Sequence, residues 1–349
     1  MSIGEENLRN VKKSIEGGKP ARQPFLLFLN FPLVKSMTGV ELREYFEDPK
    51  IMMDAQIEVN ARLGLEGPIC PDYGIVAECS AMGSPVLLDG KGFPSIQTGK
   101  ESSLEEVLRD LQPGDPWGGN WETRSLETLE YMISHVPPGF CVENPPVMAP
   151  FTIGAEYRGI EEFCVELYEE PEMIHELLRV SLETLIRYCR EQQKILGERM
   201  EHILICDDTS GFLTPDNYRK FVMPYLDKFY GEFPGVERWL HNDADSLHLS
   251  ELIAEAGFKF WHTGRCFSIT EARKRTGGKV SLCGNLSPVE ELLRGTPKDV
   301  ADAVNRQIKA FNGDSRYILG TGGFISYGTP EENLRALIQT VWEQEYRRE

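Results

Sequence analysis

Residues 238–246 read RWLHNDADS, which sets His241, Asp243 and Asp245 at alternate positions directly after an apolar run. Imidazole and carboxylate so close together are the donor types that hold a divalent cation. They are equally the types that move protons near neutral pH. Short acidic residues also start helices. Asp245 and Ser246 precede LHLSELIAEAG and are expected to cap that helix, with His248 inside it as a surface or packing residue. His241 and Asp243 stand ahead of the cap and are read as functional.

Other apolar runs end on groups of the same kind. Asp72 closes GPICPD, Asp207 and Asp208 close HILICDD, His262 closes FKFWH, and Cys283 sits in VSLCGN. The loop GTGGFISYG (320–328) follows another such run. Each has a bland alternative. Asp208-Thr209-Ser210 could cap the helix that follows, and His262 could be a buried, hydrogen-bonded imidazole. Each cysteine could be a small buried hydrophobe.

Groups this far apart in sequence act together only if the fold gathers them. Short apolar runs at 23–34, 64–72, 139–150, 201–208, 236–243, 257–264, 279–285 and 315–323 alternate with amphipathic stretches. Runs of this length between turn signals read as strands buried on both faces. TPKDVADAVNRQIKAF opens with Thr296-Pro297, an N-cap followed by a first-turn proline. Eight strands separated by helices predict parallel βαβ units closed into one (β/α)8 barrel over 23–349, with a helical extension over 1–22. Residues 73–135, with DPWGGNW inside, read as an irregular insertion near the barrel mouth. A barrel presents the C-terminal ends of its strands at one rim, which gathers the groups named above.

Composition narrows the function. At 349 residues, with 41% apolar and 26% charged, the chain can bury a large core. A net charge of −18 with no basic cluster disfavours nucleic acid. No run approaches the ~20 apolar residues that span a bilayer, and the polar N-terminus lacks a signal-peptide core, so a cytoplasmic protein is expected. Eight cysteines without a C-x-x-C pair do not suggest a disulfide scaffold. GTGGF lacks G-x-G-x-x-G, and neither a P-loop nor G-x-S-x-G occurs.

The stretch LCGNLSPVEELLRGTPKDVADAVNRQIKAF…YILGTGGFISYGTPEENLRALI (282–338) resembles the uroporphyrinogen decarboxylase superfamily, as do 205–229 and 149–159. That resemblance implies a (β/α)8 barrel. It does not imply porphyrinogen decarboxylation. The family's arginine-bearing N-terminal signature is here FLLFLNFPLVKSMTG, without arginine; its tyrosine aligns with Glu156 and its late histidine with Gly323. Only the early aspartate is kept, as Asp72. A polycarboxylate is also a poor guest for a rim of aspartates.

GPICPDYGIVAECSAMGSPV (67–86) resembles instead the corrinoid-dependent methyltransferase branch, many of whose members hold zinc on H-x-C and a distant cysteine. His241 occupies the His position, Asp243 replaces the first Cys, and Gly323 replaces the second. The resemblance thus leaves two readings. In one, His241, Asp243 and Cys283 hold zinc with an open position. In the other, a metal-free site lets His241 and an aspartate protonate the leaving group. The resemblance implies methyl transfer from a small methylated substrate, such as an aryl methyl ether, to a corrinoid on a separate protein, since no D-x-H-x-x-G cobalamin motif is present. His241, Asp243 and Asp72 are the expected catalytic groups, with Glu156, Asp208, His262, Trp261 and Tyr327 around the substrate. The alternatives are a decarboxylase or lyase acting on a small acid through Asp72 and His241, and a non-catalytic ligand-binding barrel.

Overall fold

The computed structural model describes residues 2–344 apart from 100 and 312. Its strands are β1 (Pro68–Ile69), β2 (Val86–Leu88), β3 (Pro94–Ile96), β4 (Cys141–Val142), β5 (Val147–Met148), β6 (His202–Cys206), β7 (Glu237–Asn242), β8 (Phe260–Thr263), β9 (Ser281–Leu286) and β10 (Tyr317–Thr321). Strands β5 to β10 form one parallel sheet in chain order, and Phe25 bridges Leu319 in parallel beyond β10. β1 pairs with β4 in parallel. β4 and β5 are halves of one run, parted by Asn144-Pro145-Pro146, because proline has no N–H to give to a ladder.

Eight runs therefore circle one axis, and the expected (β/α)8 barrel is the observed fold. Among the described residues no ladder joins the Phe25 run to β1; both line a central cavity of about 1300 Å³.

The N-terminal helix Ile3–Ile15 starts with a reciprocal cap between Ser2 and Glu5. Its Val11 and Ile15 join Leu204, Phe260, Cys283 and Ile318 in one apolar cluster. The Ser281 hydroxyl and the Arg316 guanidinium donate to the carbonyls of Ser14 and Ile15. The helix is thus part of the barrel floor. Residues 73–135 are more ordered than their composition suggests. β2 and β3 pair antiparallel, and Trp121–His135 is a helix whose Leu126, Leu129 and Met132 are buried at helical spacing.

Caps fall partly where expected. Thr296 accepts from Asp299 N–H with proline at the first turn. Thr214, not Asp208, caps Pro215–Phe221. The expected cap at Asp245 and Ser246 is not made: Asp245 is exposed, and the Ser246 hydroxyl donates back to the Ala244 carbonyl ahead of a 3-10 turn. His248 is exposed and bonds the Leu213 carbonyl. Among the described residues no helix is long and apolar enough to cross a membrane.

Candidate active site at the barrel mouth

Strand alternation points Trp239, His241 and Asp243 of β7 and its exit into the cavity, while Leu240 faces the helices. His241 pairs in register with His262 of β8. Asp208, just past β6, accepts a 2.8 Å hydrogen bond from the Asp243 backbone N–H, which ties two strand exits together. One nitrogen of His241 and one oxygen each of Asp208 and Asp243 lie within 4.8 Å of one another.

The hydrogen bonds fix which nitrogen of His241 is free. His262 Nε2 lies 2.8 Å from the Thr321 carbonyl, which can only accept, so that nitrogen carries the proton. The Nδ1 of a neutral His262 is then an acceptor. It lies 2.8 Å from His241 Nδ1, which must donate. The lone pair of His241 is left on Nε2, 3.6 Å from Asp208 Oδ2 and 4.0 Å from Asp243 Oδ2. Burial pushes His262 well down and His241 down, which keeps both rings neutral. Burial also pushes Asp208 up, and burial together with the charge on Asp208 pushes Asp243 up. Phe28 stacks on His262 at 4.2 Å and Phe324 lies 4.8 Å from His241, so aromatic rings hold the imidazoles.

A bare imidazole nitrogen facing two carboxylates is a donor set that fits a divalent cation. Glycine at 323 belongs to this arrangement. A Cβ there would come within 2.6 Å of Asp243 Oδ2, at a φ of +110° that L side chains rarely adopt. The Asp243 carboxylate occupies the space that a side chain at 323 would need.

Asp72 lies on the wall of the same cavity, accepts a 3.3 Å bond from the Tyr45 hydroxyl, and is pushed by burial up to about 7. Asp207 is fully buried behind the site. One of its oxygens accepts from Thr152, the other has no hydrogen-bond partner among the described residues, and burial pushes it up to about 7. Glu156 is half-buried off the cavity wall; burial and Asp208 push it up.

Three expected site residues lie elsewhere. Cys283 is fully buried in the apolar cluster under the site, where burial raises its thiol far above the usual range, and the third group beside His241 and Asp243 is Asp208 instead. Trp261 alternates out of the barrel; its indole donates to the Asn242 carbonyl and packs on Phe267. Tyr327 is exposed on the rim, edge-on to Phe93. Phe28, Phe324, Tyr45 and Thr321 were not singled out in the sequence. Thr321 meets His262 through its backbone carbonyl, which no sequence pattern marks.

The family model described as uroporphyrinogen decarboxylase (URO-D) matches residues 9–344. The chain belongs to the uroporphyrinogen decarboxylase family. Within that family it is 28% identical over 308 residues to a methylated-thiol–coenzyme M methyltransferase from Methanosarcina mazei, covering 85% of this chain and 77% of the relative. It is also 28% identical over 326 residues to a uroporphyrinogen decarboxylase from Coxiella burnetii, covering 91% and 83%. A solved methyltransferase from Methanosarcina mazei superposes with a TM-score of 0.78 at 19% identity, covering 98% of this chain and 99% of the other. The family barrel is therefore shared by proteins named for two chemistries, and the site must choose between them.

Proposed function

We propose that this chain is the substrate-side enzyme of a methyl-transfer pair, which removes the methyl of a small methyl ether and passes it to a corrinoid on a separate protein. The observation that carries the reading is the bare Nε2 of His241 facing Asp208 and Asp243 at the mouth of an apolar-walled cavity. The methyltransferase relative supports it. His241, Asp208 and Asp243 would hold a divalent cation such as zinc. When bound, the cation supplies Lewis-acid stabilisation of charge on the leaving oxygen. His262 fixes the ring of His241, Phe28 and Phe324 exclude water, and Asp72 holds a proton on the cavity wall within the same chamber.

A set of one imidazole and two carboxylates, without thiolate, suits a hard oxygen ligand. That is the basis for choosing an ether over a thioether as methyl donor. The rim supports a protein partner. Ile75, Phe212 and Tyr327 are exposed large apolar side chains, each in the segment that follows a barrel strand (β1, β6 and β10), and Leu87 is exposed on β2. Phe212 is 71% exposed. Exposed apolar side chains on segments after strand exits are the kind of surface a partner covers.

Decarboxylation of a small acid through a protonated Asp72 is the second reading, favoured by the rise of that group to about 7. The acidic rim weighs against an anionic substrate. The test is transfer from methoxyarenes to cob(I)alamin, followed by its loss of absorbance, with His241→Ala as control. Turnover that His241→Ala abolishes supports the proposal. No transfer, with carbon dioxide released from small acids, would establish the second reading.

A further inference from the structure

The central cavity continues below the mouth to a second group of polar side chains. Glu143, Asn144 and His202 all line it, and none of the three side chains makes a hydrogen bond among the described residues. Asn144 is only 7% exposed, and its amide nitrogen is buried without a partner. His202 Nε2 and Glu143 Oε2 stand 4.0 Å apart, too far to bond each other and close enough for one polar atom between them. The His202 ring is fixed by stacking on Trp239 at 3.7 Å. A buried donor left without an acceptor is costly, so an unfilled Asn144 is an unusual thing to build.

This group is separate from the mouth. His202 lies four residues before Cys206, the strand partner of His241, so about 13 Å of strand at ~3.3 Å per residue divides the two levels. The wall between them is apolar, with Leu204, Met148 and Phe28 lining it.

We propose that Glu143, Asn144 and His202 form a subsite for a terminal hydroxyl on an elongated substrate whose opposite end carries the methyl ether. This rests on the methyl-transfer reading. The orphan Asn144 nitrogen needs an acceptor, and the Glu143 carboxylate needs a donor. A hydroxyl is both. An ammonium donates only and leaves Asn144 unpaired. A carboxylate accepts only and faces Glu143 and Glu237 on the same wall; among the described residues the one lysine or arginine lining the cavity, Lys12, is already 2.9 Å from Glu201. Burial pushes His202 down to about 4, which leaves that ring a neutral hydrogen-bonding group.

The test is calorimetric binding, without corrinoid, of four ligands that share a 4-methoxyphenyl ring and a three-carbon chain. One ends in hydroxyl, one in carboxylate, one in amine, and one in methyl. The hydroxyl ligand is expected to bind at least tenfold tighter than the others. Asn144→Leu should abolish that preference while leaving the methyl-terminated ligand unaffected, and Glu143→Gln should reduce it in a second, near-isosteric background. Equal affinities, a preference for the amine or carboxylate, or a preference that survives Asn144→Leu would overturn the proposal. Methyl transfer is read separately with cob(I)alamin: a hydroxyl preference without turnover keeps the subsite and removes the methyl-transfer reading, whereas turnover without the preference does the reverse.

Discussion

The Nδ1 atoms of His241 and His262 lie 2.8 Å apart, and one proton between them decides what His241 can bind. The Thr321 carbonyl settles its place by claiming the only proton of a neutral His262 for Nε2. His262 is therefore a positioning residue that keeps the Nε2 lone pair of His241 aimed at Asp208 and Asp243. Outer partners of metal-bound histidines typically contribute 10–100-fold in affinity. His262→Leu should weaken zinc binding by about that factor in a competition titration against a chromophoric chelator. His262→Asn, whose amide oxygen can accept from His241 Nδ1, should recover much of it. Equal affinity in the leucine variant would show that the imidazole pair does not serve a cation.

Gly323 tests the same centre from the opposite wall. A methyl at this position would come within 2.6 Å of Asp243 Oδ2 and would also be held at a positive φ. Gly323→Ala should displace the Asp243 carboxylate and lower both metal retention and turnover at least tenfold, with a modest loss of thermal stability. Metal content of the purified variant, measured by emission spectrometry, separates displacement of the ligand from general unfolding. Full metal content would show that Asp243 is not needed as a ligand.

Asp72 predicts a pH limb. Its carboxyl is pushed up to about 7 by burial, against the opposing hydrogen bond from Tyr45. The protonated form is present below that value and is lost as pH rises through it. If Asp72 delivers the proton to the leaving oxygen, turnover is level on the acid side and falls tenfold per pH unit above about 7. Asp72→Asn should remove that limb and cost roughly 10²-fold in rate, the usual contribution of a placed acid. A limb that persists in Asp72→Asn assigns the proton to another group.

How much of this could be read in advance follows from what sequence encodes. All eight barrel runs were legible because strands buried on both faces are short apolar blocks, and His241, Asp243, Asp208 and Asp72 followed from standing at their ends. The failures concern direction and depth. Trp261 sits next to His262, but one residue along a strand reverses the face, so it packs among the helices. Cys283 is paired with His262 yet belongs to an apolar layer completed by Val11 and Ile15, nearly the whole chain away. By sequence Asp208 reads equally well as a helix cap; only the approach of the Asp243 N–H across two strands reveals its other use.

Glu122 makes a last prediction, about stability. It is fully buried in the helix Trp121–His135, and neither carboxylate oxygen has a hydrogen-bond partner among the described residues. Burial, then repulsion from Glu78 and Asp115, raises its pKa well above the ordinary value near ~4.3. The folded state therefore holds a proton that the unfolded chain releases. Below the unfolded value both states are protonated and this group has no pH effect. As pH rises from there to the raised folded value, stability falls by up to about 1.4 kcal/mol per unit, and above it the loss levels off. Glu122→Gln keeps the shape and removes the ionisation. Its melting temperature should exceed that of the parent at pH 8, and the gap should close as the pH approaches 5. Thermal melts across that range check the slope. Parallel curves for the two proteins would mean that Glu122 is ionised in the fold, with a counter-charge or water supplying the partners it lacks.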